Sequence, residues 1–293
     1  MTTSTPTPTR TITLGHSPDP DDAFMFYGLA KDLLDTQELK FEHILQDIQT
    51  LNERATRGEL DVTAISVHAY ASVMDKYAVL PSGASMGDNY GPMIVTKTIC
   101  TPEELAQKTI AVPGEMTSAF LTLKIWYAEN GIRDFKYKVV PFDQIIEAVQ
   151  SDEVDAGLLI HEGQLTFEKE GLKEIVNLGC WWYDRTDGLP LPLGCNAIKK
   201  ELGEELMKRV SRYLTHSIKF SLENREAALE YALGWARGME TKLADEFVGM
   251  YVNELTLDYG ERGREAIRRF LGEAHDLGFL DKKIDVEFVN DAE

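Results

Sequence analysis

A strand–helix–strand–helix–strand unit is written twice in this chain, and a doubled unit of that kind leaves few folds open. The first copy begins Arg10-Thr-Ile-Thr-Leu-Gly-His-Ser17 and the second Lys108-Thr-Ile-Ala-Val-Pro-Gly-Glu-Met-Thr-Ser118, each an apolar strand running into a small, polar turn before a helix. Lys40-Phe-Glu-His-Ile-Leu-Gln46 before Asp47 then matches Lys136-Tyr-Lys-Val-Val-Pro-Phe142 before Asp143, a strand followed by an acidic helix start. Glu59-Leu-Asp61 leads into Val62-Thr-Ala-Ile65 as Glu153-Val-Asp155 leads into Ala156-Gly-Leu-Leu-Ile160. The pairs Thr11 and Thr109, Asp47 and Asp143, and Asp61 and Asp155 keep one order, and their spacing drifts by only a few residues. Strands alternating with helices build sheets whose ligands sit beyond the carboxyl ends of the strands. Two such units predict two similar lobes facing a cleft, with Ser66 delivered by the last strand of one and His161 by the last strand of the other.

Length and charge narrow what the cleft can hold. A chain of 293 residues suits two lobes rather than one core. Forty-nine acidic against thirty basic residues give a net charge of −19, which opposes binding to nucleic acid or to anionic membranes. An anionic ligand must therefore be held by local donors such as helix N-termini. Cys100, Cys180 and Cys195 form neither a CxxC pair nor an even framework, so neither disulfides nor a zinc site are expected. Residues 1–10 read as a polar, disordered Thr/Pro tail without the apolar core of a secretory signal, and no stretch approaches a membrane span, so the expected location is the cytoplasm. The expected partner is a small carboxylated molecule, with a second copy of the chain left open.

The lobes are expected to be 11–94 together with 195–293 for the larger and 95–194 for the smaller. Gly91-Pro92 before Met93-Ile-Val-Thr96 marks the crossing to the second lobe, and the proline-rich Leu189-Pro-Leu-Pro-Leu-Gly194 reads as an extended hinge for the return. From Leu202 onward the periodicity is helical, with Leu206, Val210, Leu214 and Ile218 on one face and further amphipathic segments at 227–235, 243–251 and 264–277.

Each candidate for chemistry has a bland reading beside it. Asp22 is read as the N-cap of the apolar run from Ala23. Asp19, Asp21 and Asp22 match no calcium-loop spacing, and no metal is expected. Ser17 sits at the end of its strand, where ligands gather. Thr117 and Ser118 occupy the equivalent turn of the second unit, either as ordinary caps or as hydroxyls at the positive end of a helix dipole. His16, His68 and His161 all lie near strand ends, and an imidazole suits proton transfer near neutrality. Residue types alone do not rank the three. Glu162 could orient His161, though successive residues of an extended chain face opposite ways. Trp181, Trp182 and Tyr183 read first as packing, and Arg185 as either a carboxylate partner or a surface residue.

In order and spacing these residues resemble the 1,4-dihydroxy-6-naphthoate synthase family, the ring-opening enzymes of the futalosine route to menaquinone. The likeness runs through Ser17-Pro18, Pro20, Asp22, Phe24, Phe26-Tyr27, Thr50-Leu51-Asn52, Ser66, Val112-Pro113-Gly114, Thr117, Ile160-His161-Glu162, Trp181-Trp182, Arg185-Thr186 and Tyr251-Val252-Asn253. It implies an α/β, two-lobed type II periplasmic-binding-protein-like fold, each lobe a mixed sheet, with extra C-terminal helices. It implies His161 as proton acceptor, cyclic dehypoxanthinylfutalosine as substrate, and no metal, nucleotide or flavin cofactor. Ser17, Asp22, Asn52, Ala64, Ile65, Ser66, Thr117, Ser118 and Ala119 are the implied binding positions. The chain departs from the family pattern twice. Ser17-Pro-Asp-Pro-Asp-Asp-Ala23 stands where the family reads Ser-Pro-Cys-Pro-Asn-Asp-Thr, and Ala64 stands where it has lysine. Added carboxylate and a lost cation are expected to weaken anion recognition, which keeps a divergent paralogue or a non-enzymatic carboxylate-binding protein as the alternative. Chorismate dehydratase, on the same fold, is disfavoured by the missing Ser-Phe-Leu-Asn opening.

Overall fold

The computed structural model describes residues 10–161, 163–235 and 240–290, so Glu162 lies outside the described residues. Eleven strands among them form two sheets: β1 (Arg10–His16), β2 (Leu39–Leu45), β3 (Val62–Ser66), β4 (Tyr77–Val79), β5 (Ser85–Gly87), β6 (Met93–Thr96), β7 (Thr109–Val112), β8 (Lys136–Val139), β9 (Ala156–Leu159), β10 (Lys173–Asn177) and β11 (Leu191–Lys199). The first sheet runs β2-β1-β3-β11-β4, with β5 also on β11, and the second runs β10-β6-β9-β7-β8. In each, the first strand of the unit lies between its two parallel partners, β1 between β2 and β3 and β7 between β8 and β9. An antiparallel strand then completes each sheet from beyond a crossing of the chain, β11 beside β3 and β6 beside β9. Arg10, counted with the tail above, is the first residue of β1.

The aspartates that marked the repeat have a structural duty. Asp61 Oδ2 accepts from the Thr13 backbone N–H at 3.0 Å, and Asp155 Oδ2 accepts from the Thr109 N–H at 2.8 Å. Each carboxylate, placed just before the third strand of its unit, pins the first strand alongside. Helix starts follow the sequence in one unit only. Asp47 caps the helix Ile48–Arg57 by accepting from Thr50 N–H, whereas Asp143 lies inside a short 3-10 turn and caps nothing.

The return crossing differs from the expected extended hinge. Strand β11 begins at Leu191, inside the proline-rich segment, and continues as an interior strand of the first sheet. Proline is tolerated there because the ladder with β5 shifts register between Pro192 and Gly194, so the missing N–H falls at an irregularity. The outward crossing is tight: a Cβ on Gly179 would lie 1.9 Å from the Tyr90 carbonyl oxygen and 2.0 Å from its carbon. Backbone on backbone cannot yield as a side-chain tip can. Gly179→Ala is therefore expected to cost about 1–3 kcal/mol or more of folding stability, read by chemical denaturation.

The C-terminal helices Glu204–Glu223, Arg225–Leu233 and Thr241–Tyr251 pack around the short helix Pro20–Met25, where Leu206, Val210, Leu214 and Ile218 join Phe24 and Met25 in one core. All six residues of Pro20–Met25 are thereby buried, Asp21 and Asp22 included. The helix Ser118–Glu129 is apolar around most of its circumference, because it is wedged among β11, the Val67–Val73 helix and the Leu178–Arg185 helix. Its N-terminus thus opens where the two lobes meet.

Candidate active site

Between the lobes lies a cleft with about 740 Å³ of space outside protein atoms, part of it open to solvent, a size suited to a small organic molecule. Ser17, Asp22, Ala64, Ile65 and Ser66 line it from the first unit, and Thr117, Ser118, Ala119 and His161 from the second. No Lys or Arg is among the described residues of this lining.

Asn52 is placed differently from the expectation that it would touch the ligand. It is fully buried behind Ser66, accepting the Ser66 backbone N–H at Oδ1 (2.8 Å) and donating from Nδ2 to Ser66 Oγ (3.0 Å). Because the Asn52 amide donates to Oγ, the Ser66 O–H proton is left to be donated in turn. Asn52 thus sets both the position and the polarity of Ser66.

Of Thr117 and Ser118, Thr117 takes the cap reading. The Thr117 hydroxyl caps its helix, accepting from Phe120 N–H at 3.2 Å and donating to the Gly114 carbonyl at 2.7 Å. Ser118 Oγ donates to the Leu193 carbonyl at 2.6 Å and accepts from His68 N–H at 3.2 Å. With both hydroxyls engaged, the groups left for a ligand are the backbone N–H groups of Ser118 and Ala119, which have no partner within the helix and sit at the positive end of its dipole.

The three histidines separate by burial. His16 is buried against Phe26 and His43, and its Nε2 lies 2.9 Å from His43 Nδ1. Its Nδ1, 3.0 Å from the Ser17 carbonyl, must carry the proton, so Nε2 accepts from His43. Burial pushes both imidazoles down to about 4. His68, pushed down to about 4 by burial as well, has its Nδ1 3.2 Å from the Thr117 carbonyl, between the lobes. Only His161 lines the cleft among the three. Its backbone is left-handed, with φ 56°, a conformation that costs a non-glycine residue about 1–3 kcal/mol and persists where surroundings enforce it. Its ring packs edge-on to Phe142 at 4.6 Å, and its Nδ1 lies 3.6 Å from Asp19 Oδ2, which leaves Nε2 as the other proton site.

A pH prediction follows from the buried pair. At pH 5, where an ordinary histidine is charged, His16 and His43 are expected to be neutral, as imidazole nitrogen shifts in an NMR titration would record. The unfolded chain takes up those protons below about pH 6.5 and the folded chain only near about 4, so the pair's contribution to stability falls as pH drops through that window.

The Asp19–Asp22 turn is the largest departure from expectation. Asp22 is not the N-cap: Pro20 occupies the first turn, Asp19 takes the cap position, and Asp22 lies within the helix, accepting the Ser17 N–H at 2.7 Å. Burial and Asp19 nevertheless push its carboxyl up to about 6. Asp21, which was not counted among the binding positions, lines the cleft with 6 % of its surface exposed.

Gln164, which went unread, and Tyr251, quoted above only as part of the family likeness, also line the cleft. With its amide turned so that each atom meets a complementary partner, Gln164 accepts from His161 N–H at 3.1 Å and donates to the Gly91 carbonyl at 2.7 Å. It thereby ties the strained His161 turn to the interlobe crossing. Arg185 is remote from this: it pairs with Glu273 at 2.5 Å and lies over Trp181 and Trp182, with Trp182 fully buried.

A family model described as menaquinone biosynthesis matches residues 12–276. The chain belongs to the menaquinone biosynthesis family. Relatives within this family include the 1,4-dihydroxy-6-naphtoate synthases of Thermus thermophilus, 37% identical over 91% of this chain and 95% of the relative, and of Streptomyces coelicolor, 35% identical over 92% and 94%. A solved protein from Archaeoglobus fulgidus is 44% identical, covers 92% of the chain and 98% of its own, and superposes with a TM-score of 0.86. The alkanesulfonate-binding protein of Xanthomonas axonopodis pv. citri, at 14% identity, covers 96% of the chain and 97% of its own with a TM-score of 0.70. That likeness fixes the menaquinone-family chain's fold as the two-lobed periplasmic-binding-protein type. Its family membership makes it an enzyme rather than a solute receptor.

Proposed function

We propose that this enzyme converts cyclic dehypoxanthinylfutalosine to 1,4-dihydroxy-6-naphthoate, with His161 as proton acceptor. The observation that carries the reading is the meeting, across one cleft, of an imidazole from the second unit with the Ser66 hydroxyl of the first and the open helix start at Ser118. A substrate carboxylate is met by the Ser66 O–H and the N–H groups of Ser118 and Ala119. This arrangement needs no lysine at position 64, because a helix start concentrates donors and positive potential. Nε2 of His161 removes a proton from the ring system. The sugar fragment then departs and the bicycle aromatises. Asp19, 3.6 Å from Nδ1, stabilises the imidazolium that forms. Lobe closure excludes water from the step.

The experiment is incubation of the purified protein with cyclic dehypoxanthinylfutalosine while naphthoate absorbance is followed. Product above the protein-free rate supports the reading, and binding without turnover rejects this compound as the substrate. Ser66→Ala removes a hydrogen bond to a charged group, worth about 1.5–3 kcal/mol. It is expected to raise KM roughly 10- to 100-fold with a smaller change in kcat, as steady-state kinetics would show.

A further inference from the structure

Where Asp21 enters the cleft, a carboxyl group meets no cation among the described residues, and one of its oxygens lacks a hydrogen-bond partner there. Its Oδ1 is buried and has no hydrogen-bond partner among the described residues. Asp19 and Asp22 stand on the same turn. From the Thr241–Tyr251 helix the buried Tyr251 phenol faces it, from the crossing Tyr90, and from the second lobe His161 lines the same cleft. Arg225, on the helix packed over this turn, is engaged by Asp245 at 2.7 Å and lies over the Phe24 ring. From the Glu204–Glu223 helix the Ser217 hydroxyl donates to the Met25 carbonyl.

We propose that Asp21 carries a proton and donates it, as a neutral hydrogen-bond donor, to an oxygen on the hydroxylated, sugar-derived portion of the bound substrate. The three carboxyls of the turn divide their tasks by their partners. Asp22 accepts a backbone N–H at 2.7 Å, which favours its ionised form, and Asp19 faces the His161 imidazole. Asp21 lacks the imidazole, and although the N–H groups of Asp22 and of Asp21 itself favour its ionised form, burial together with the charges of Asp22 and Asp19 outweighs them and pushes it well above the usual carboxylate range. A carboxylic acid kept neutral by its site is a directed donor, and it does not repel an anionic substrate as a third carboxylate would. The substrate then lies with its carboxylate toward Ser66 and the Ser118 helix and its sugar-derived oxygens toward Asp21. This orientation rests on the function proposed above; the protonation of Asp21 does not.

Infrared difference spectroscopy at pH 7 tests the proton directly. Wild type should show a protonated-carboxyl C=O band that Asp21→Asn lacks, and the band should shift when cyclic dehypoxanthinylfutalosine is added. A missing band, or a band indifferent to the added compound, overturns the proposal. Steady-state kinetics gives the second reading. Asp21→Asn keeps a neutral donor and should hold KM within about threefold, whereas Asp21→Ala should raise it about tenfold or more. As pH rises through the raised Asp21 ionisation, wild-type KM should climb while that of Asp21→Asn does not. Equal losses in Asn and Ala variants would overturn the donor role. If wild type binds the compound without turning it over, the activity reading fails, and the infrared shift alone decides whether Asp21 donates.

Discussion

His161→Asn is expected to lower kcat for cyclic dehypoxanthinylfutalosine about 10²- to 10⁴-fold, the usual contribution of a positioned acid–base group. Asparagine is the informative replacement because His161 holds a left-handed backbone at φ 56°, a region that asparagine enters with less strain than other non-glycine residues. Loss of activity in that variant is then chemical rather than conformational, and an unchanged denaturation midpoint would confirm it. KM should move little, because carboxylate binding is assigned to Ser66 and the Ser118 helix on the other side of the cleft. His16→Asn and His68→Asn serve as contrasts. Both side chains are spent on contacts inside the protein, so their loss should lower stability before it touches kcat. Turnover in His161→Asn within a few-fold of wild type would remove the base assignment.

The doubled unit was legible because three apolar runs with matching acidic landmarks recur in one order. The order within each sheet, β1 between β2 and β3 and β7 between β8 and β9, is seen in the structure. The C-terminal helices were legible from periodicity alone. What failed did so where a local rule met a distant partner. The proline at position 192 argued for a hinge, yet a register shift lets β11 begin there. Asp22 looked like a cap, although Pro20 already fixed the first helical position and so made Asp19 the cap. Whether the three aspartates in four residues line the cleft or face solvent was not legible locally, because helices nearly 200 positions later bury them. Within the turn that departs from the family pattern, the added carboxylates differ in their surroundings. Asp19 faces the histidine, and Asp21 lies in a pocket where charge is suppressed. Gln164 carried no local signal and Tyr251 only its place in the family likeness, since Gln164 matters through distant partners, Tyr251, the Gly91 carbonyl and the His161 backbone.

The largest expected effect outside the base comes from a residue that does not line the cleft. Asn52→Ala would orphan the buried Ser66 N–H and the contact to Oγ, each costing about 1–3 kcal/mol. Stability and kcat/KM should fall together, the latter roughly 10- to 100-fold. Asn52→Asp separates the two effects. A carboxylate at this position still accepts the Ser66 N–H but has no proton for Oγ, so the serine O–H turns inward to it. The cleft then receives lone pairs where it had a donor. A substrate carboxylate would be repelled, and KM should rise at least as much as in Ser66→Ala. The cost of burying a new charge also raises that carboxyl's pKa, so lowering the pH should restore both stability and binding as the group regains a proton. Denaturation midpoints and KM measured across pH 5 to 8 would show the two recovering together. If Asn52→Asp binds as wild type does at pH 8, Ser66 is not the donor, and the carboxylate rests on the helix start alone.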